Sequence, residues 1–322
     1  MRPPAPKLRD NRHMRILILL LAAIASSAVE PPTFEARKTR IRALLDGQDF
    51  AAALAQARTL NREWPDDIAG YQLLAAAQLG LGDYAGAETS MQWMLDLRIG
   101  KADTQGWLLV ARLREETGDL DGAIEAANLA YTRLVPGDRL RPAVLVYAAR
   151  LQCAAGRLDY ADRLLRDAVA AAPGDEAARE VVAHLRLAQH RTAEAIGILR
   201  GLARPGAHPR LLYRLAEATG DPADYAAFER AARGWMDRPD SANRELALYY
   251  AGPGKRPAEA AEAARLEYAR RRDVFTLDAL AVALQANGKP AEARTFMQQA
   301  LAAGTRDSEI LKHAAGIGAK PE

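Results

Sequence analysis

A single cysteine, Cys153, stands in a chain of 322 residues. That excludes an internal disulfide and any zinc site built on several cysteines. Aromatic residues make up only 6%, and Val and Ile are sparse, so the residues that favour strands are in short supply. An excess of one charge is also missing, with 44 Lys and Arg against 41 Asp and Glu. Long apolar runs are absent as well. The most extended one, Ile16 to Ile24, falls short of the roughly 20 residues that span a bilayer. What is plentiful is Ala and Leu, within a hydrophobic share of 49%. Such a composition suits tightly apposed helices and predicts an all-α protein.

The first segment reads as an address. Arg12 to Arg15 form a basic stretch, Ile16–Ile24 an apolar core, and Ala25-Ser26-Ser27-Ala28 a run of small residues suited to cleavage after Ala28. Residues 1–28 are therefore expected to be a signal peptide and 29–33 a linker, with Met14 an alternative start. A periplasmic or otherwise exported protein follows. The rival reading keeps residues 16–28 as a membrane anchor. The leader holds five bases and one acid, so the remainder carries 39 bases and 40 acids. Without a basic surplus, nucleic-acid binding loses its main electrostatic support.

A period near 34 organises the rest. Helix-opening residues are predicted at Phe50, Tyr84, Leu120, Leu158, Thr192, Pro222, Pro257 and Pro290. Three residues on stand Ala53, Ala87, Ala123, Ala161, Ala195, Tyr225, Ala260 and Ala293. Two antiparallel helices touch there only if the side chain is small. Glycine two residues before the opening residue, as in Gly82, Gly118, Gly156, Gly220 and Gly288, suits a left-handed helix end.

Tyr71-Gln-Leu-Leu-Ala75 with Gly82-Asp-Tyr84-Ala-Gly-Ala87, and Leu277-Asp-Ala-Leu-Ala281 with Gly288-Lys-Pro290-Ala-Glu-Ala293, resemble the tetratricopeptide (TPR) repeat family. The resemblance implies an α-solenoid of about eight helical hairpins over residues 34–304. Residues 305–322 are expected to supply a capping helix and tail. The sixth unit departs from the pattern, with Tyr225 at the alanine position and a preceding spacing of 30; either a related helical-hairpin repeat or an irregular pair that bends the stack is expected there.

Motifs for chemistry are few. His184, His190, His208 and His313 form no close metal-binding spacing, and Ser90, Ser241 and Ser308 lie in no nucleophile elbow. Gly252-Pro-Gly-Lys255 lacks the upstream glycine and the Ser or Thr of a phosphate loop. Asp119-Leu-Asp121-Gly122 reads as a helix N-terminus rather than a calcium loop. Cys153, in an Ala-rich helix, is expected to be buried and inert. A non-enzyme with no cofactor and no bound metal is the expectation, an enzyme built on the helical stack the remote alternative.

In TPR-like proteins the first helix of each hairpin lines the concave face, which is the default binding surface. Eight residues before each opening residue stand Arg42, Ala76, Arg112, Arg150, His184, Arg214, Tyr249 and Val282. Arg112, Arg150, His184 and Arg214 are consecutive and predict a basic ladder, with Tyr249 beyond it, for an extended and acidic protein or peptide partner. Glu115, Glu180 and Glu217 lie within one helical turn and compete for those charges. The family's carboxylate clamp uses Lys and Asn; Lys38, Arg42, Gln72 and Ala76 offer no asparagine. A membrane partner enters only if the leader is retained.

Overall fold

The structure is a computed structural model describing residues 33–97, 103–135, 137–252 and 255–320. The expected signal peptide and most of the linker lie outside the described residues.

Seventeen α-helices and no strand occur among the described residues. They pair into hairpins: α1 (Phe34–Asp46) with α2 (Phe50–Glu63), α3 (Ile68–Gly80) with α4 (Tyr84–Leu97), α5 (Thr104–Glu116) with α6 (Leu120–Thr132), and α7 (Arg141–Ala154) with α8 (Leu158–Ala171). Next come α9 (Glu176–Ala188) with α10 (Thr192–Leu202), α11 (Pro209–Thr219) with α12 (Pro222–Trp235), α13 (Asn243–Ala251) with α14 (Pro257–Arg270), and α15 (Val274–Ala286) with α16 (Pro290–Ala302). A last helix, α17 (Ser308–Ile317), packs on α15 and α16 as the terminal cap.

All eight opening residues read from the sequence are the first residues of α2, α4, α6, α8, α10, α12, α14 and α16. The seven alanines three positions on are completely buried, which is what close helix contact requires. Gly82, Gly118, Gly156, Gly220 and Gly288 all have positive φ. In two of the units without that glycine, Gln48 and His190 adopt the left-handed conformation instead, at φ 54 and 60°. Aspartates cap many helices: Asp49, Asp67, Asp103, Asp175, Asp221 and Asp307 each accept a backbone N–H from the first turn. Asp119 does the same for α6 through the Gly122 N–H at 2.9 Å, which is the helix-start role expected of it.

At the sixth hairpin the stack changes character. Tyr225 stacks on Tyr249 with ring centroids 5.1 Å apart and planes 11° apart. Phe228 is wedged against both Tyr213 and Tyr249. Aromatic packing thus fills the space that a small alanine seam leaves in the other units.

The array also meets itself. The Arg272 N–H donates to the Gly80 carbonyl at 2.8 Å, and the Val274 N–H donates to the Tyr84 hydroxyl at 2.9 Å. The seventh and eighth hairpins therefore return to the turn of the second. One unit further along, the Gly118 turn lies against the Gly304 carbonyl between α16 and α17. Tyr84 packs against the large core of the C-terminal helices and against the core of α3–α7.

Candidate binding groove on the first helices

The first helices of the leading four hairpins form a groove of about 540 Å³. Helix α1 contributes Arg42 and Asp46, and α3 contributes Ala69, Gln72, Leu73 and Ala76. Helix α5 adds Gln105, Leu108, Leu109 and Arg112, and Leu140 and Tyr147 complete the lining. The small Ala76 makes the room: it sits where neighbouring helices carry Arg42 and Arg112. Leu73, Leu108 and Leu109 supply apolar lining beside the polar groups. Gln72 donates to the Asp103 carboxylate at 2.7 Å, which ties α3 to the cap of α5 and fixes the groove wall. Arg42 has no carboxylate within ion-pair distance among the described residues.

The register positions Arg42, Ala76 and Arg112 thus share one groove. The ladder beyond it is a row of ion pairs. Arg112 donates to Glu116 at 2.6 Å on its own helix. Arg150 reaches back to Glu115 with two bonds, at 2.6 and 2.7 Å, and lies over the Tyr147 ring. Arg214 donates to Glu217 at 3.1 Å, while Glu180 is taken by Arg210. His184 lies near enough to Arg214 and Arg150 for both to act on it. Burial, Arg214 and Arg150, in that order, lower its pKa, so the imidazole is neutral near pH 7. Tyr249 is stacked on Tyr225 and covered by the Lys255 ammonium, 3.6 Å from its ring centre. Three of the four ladder positions are therefore arginines with partners, and His184 brings no charge. Among the described residues, Arg42 is the groove-lining cation without an ion pair.

Glu116 sits almost wholly out of water at 4% exposure. Burial raises its pKa and the Arg112 guanidinium opposes that rise. Tyr147 donates to Glu115 at 3.0 Å, and burial followed by that carboxylate pushes its phenol well up. Cys153 is buried among Ala149, Leu165 and Leu185, and burial alone raises its thiol pKa to about 11. The thiol is protonated and poorly nucleophilic near neutral pH.

The sequence register did not mark Leu73, Leu108 and Leu109 as groove lining. Reading the same face one helical turn earlier yields Gln72 and Leu108, which is the local signal that was available. The pairing of Arg150 with Glu115 joins two hairpins and has no such signal.

No protein-family model matches the chain. No curated protein matches its sequence. Solved structures do match it. Human IFIT1 bound to m7Gppp-AAAA superposes with a TM-score of 0.55 at 14% identity, covering 90% of this chain and 79% of that one. Yeast Tom70 gives 0.51 at 13% identity, covering 84% of this chain and 58% of that one. The Cut9–Hcn1 structure gives 0.47 at 13% identity, and the chain spans 53% of that neighbour's length. At such identities the likeness speaks for the fold alone. The chain has the fold of the tetratricopeptide-repeat proteins, with eight helical hairpins and a capping helix among the described residues.

Proposed function

We propose that the protein is an exported, non-catalytic scaffold that holds an extended segment of a protein partner in the groove of its first four hairpins. The observation that carries this reading is the groove itself. Leu73, Leu108 and Leu109 line it together with Arg42, which has no ion pair among the described residues. Such a surface suits an apolar segment bearing a carboxylate, because burial of the side chains supplies affinity and the guanidinium supplies orientation. The TPR fold supports a binding role, and the nearly balanced charge of residues 29–322 favours protein over nucleic acid.

A photocrosslinking residue at Gln105 in the native host tests the site. A discrete protein adduct is expected, lost on Ala76→Trp, which fills the groove, and weakened on Arg42→Glu. An adduct unaffected by both substitutions places the partner elsewhere. Export rests on the basic stretch, apolar core and small residues before Val29. N-terminal sequencing of protein from the host is expected to begin at Val29. Retention of Met1 or Met14 instead supports the membrane-tethered reading.

A further inference from the structure

The groove and the self-contact of the array share one residue. Arg112 lines the groove and donates to Glu116 at 2.6 Å. Glu116 accepts the Tyr84 hydroxyl at 2.9 Å. That same hydroxyl accepts the N–H of Val274, the first residue of α15 in the eighth hairpin. Beside Val274 lies Asp273, fully buried and held by Arg271. Asp273 acts electrostatically on both Arg112 and Glu116.

The contact therefore sets the buried carboxylate of Glu116, from the third hairpin, beside that of Asp273 at the start of the eighth, and Asp273 shares Arg271 with a further buried carboxylate, Glu267. Burying like charges side by side is unfavourable unless cations accompany them. Arg271 accompanies Asp273, and Arg112 accompanies Glu116. Arg271 is carried by the returning loop, whereas Arg112 faces the groove. Withdrawing the Arg112 charge leaves Glu116 uncompensated opposite Asp273. That penalty exists only while the two ends of the array touch.

We propose that this contact is a latch whose closure depends on the Arg112 charge, and that an anionic group entering the groove beside Arg112 opens it. The first half stands on the latch geometry alone; the second rests on the groove reading. Linkage requires reciprocity, so a chain with a weakened latch binds the anionic group more tightly.

Two amides report the latch directly. Arg272 and Val274 donate to acceptors that only closure provides, the Gly80 carbonyl and the Tyr84 hydroxyl. The Thr276 N–H bonds to Asp273 at 2.9 Å within its own helix cap and serves as the internal reference. Hydrogen exchange on the full chain is expected to show Arg272 and Val274 exchanging about tenfold faster in Arg112→Gln, with Thr276 unchanged. Adding Glu116→Gln removes the imbalance and restores protection to within about threefold. Arg112→Lys keeps the charge and keeps the latch. Unchanged exchange in Arg112→Gln, or failure of the double variant to recover, overturns the latch.

The coupling is read on the wild-type chain with 1-anilinonaphthalene-8-sulfonate, an apolar anion, and uncharged N-phenyl-1-naphthylamine. The sulfonate is expected to speed exchange at Arg272 and Val274, and the amine to leave it unchanged. Sulfonate that binds in the groove, as shown by its loss in Ala76→Trp, yet leaves both amides protected overturns the coupling. Sulfonate that ignores Ala76→Trp contradicts the groove reading and the coupling with it, and the variant series still decides the latch.

Discussion

Glycines that look alike in the sequence do different work in the fold. Gly82, Gly118 and Gly288 end first helices with φ of 68, 85 and 71°. An added Cβ at Gly288 meets nothing within 4 Å, whereas at Gly82 it would lie 2.4 Å from the Arg272 carbonyl and at Gly118 2.2 Å from that of Gly304. Gly288→Ala is therefore expected to lose only the left-handed preference, about 1 kcal/mol. Gly82→Ala and Gly118→Ala should lose more and also speed exchange at Arg272, compared side by side by urea denaturation and hydrogen exchange. His313 makes a second residue-scale case. Its Nδ1 lies 2.9 and 3.1 Å from the two oxygens of Asp278, a carboxylate only 1% exposed. The hydrogen bond to Asp278 is the main cause of a raised imidazole pKa; burial opposes it, Glu309 adds to it and Lys312 subtracts. Because the folded pKa lies above the unfolded one, the pair's stabilisation is fully present below the ordinary imidazole value of about 6.5 and is lost as pH rises through the raised value. A melting-temperature difference between wild type and His313→Gln should accordingly be largest near pH 6 and shrink at alkaline pH. A difference that grows with pH contradicts the assignment.

At the scale of the helix, the seam alanines set how closely each hairpin shuts. Ala161 is completely buried in a cluster with Ala149, Leu165 and Leu185. Ala161→Leu forces these apart and is expected to cost about 1–3 kcal/mol, measurable as an earlier denaturation midpoint with little loss of helical circular dichroism. Exposed Ala51, two residues before Ala53 on α2, should tolerate the same change nearly without effect. These alanines explain why the hairpins were legible from residue order. Helix starts, left-handed ends and small contact positions are fixed by neighbours within a few residues, so all eight openings could be read directly. Three positions of one register, Arg42, Ala76 and Arg112, line one groove. What residue order did not disclose was the state of those arginines. Arg150 takes its carboxylate from Glu115 on the preceding hairpin, and that choice depends on how two helices rotate against each other. The aromatic filling at Tyr225 was visible only as a missing alanine. The bond from Val274 to Tyr84 joins residues 190 positions apart, far beyond any repeat period.

For the molecule as a whole, those long-range bonds change what is expected of a repeat array. An open solenoid contacts only its nearest neighbours, so its ends fray and its middle is best protected. Here the cores are distributed differently. A large apolar core runs through α12–α17 and another through α3–α7, while the stretch between them rests on small clusters such as Ala183, Ala195, Leu199 and Leu215. Tyr84 packs against both large cores, so the two stable regions are joined at the latch as well as through the chain between them. The thin middle should consequently open first, because its loss leaves both large cores still in contact. Hydrogen exchange is expected to be faster in α9, α10 and α11 than in α15 and α16, the reverse of end-first fraying for the C-terminal half. Tyr84→Ala removes the bridge and creates a cavity worth about 3 kcal/mol or more. Thermal unfolding of that variant should separate into two transitions, each assignable by exchange to one large core, where the wild type shows greater overlap between them. A Tyr84→Ala chain that melts in a single unbroken step, with its middle helices the most protected, shows that the two ends contribute nothing to each other's stability.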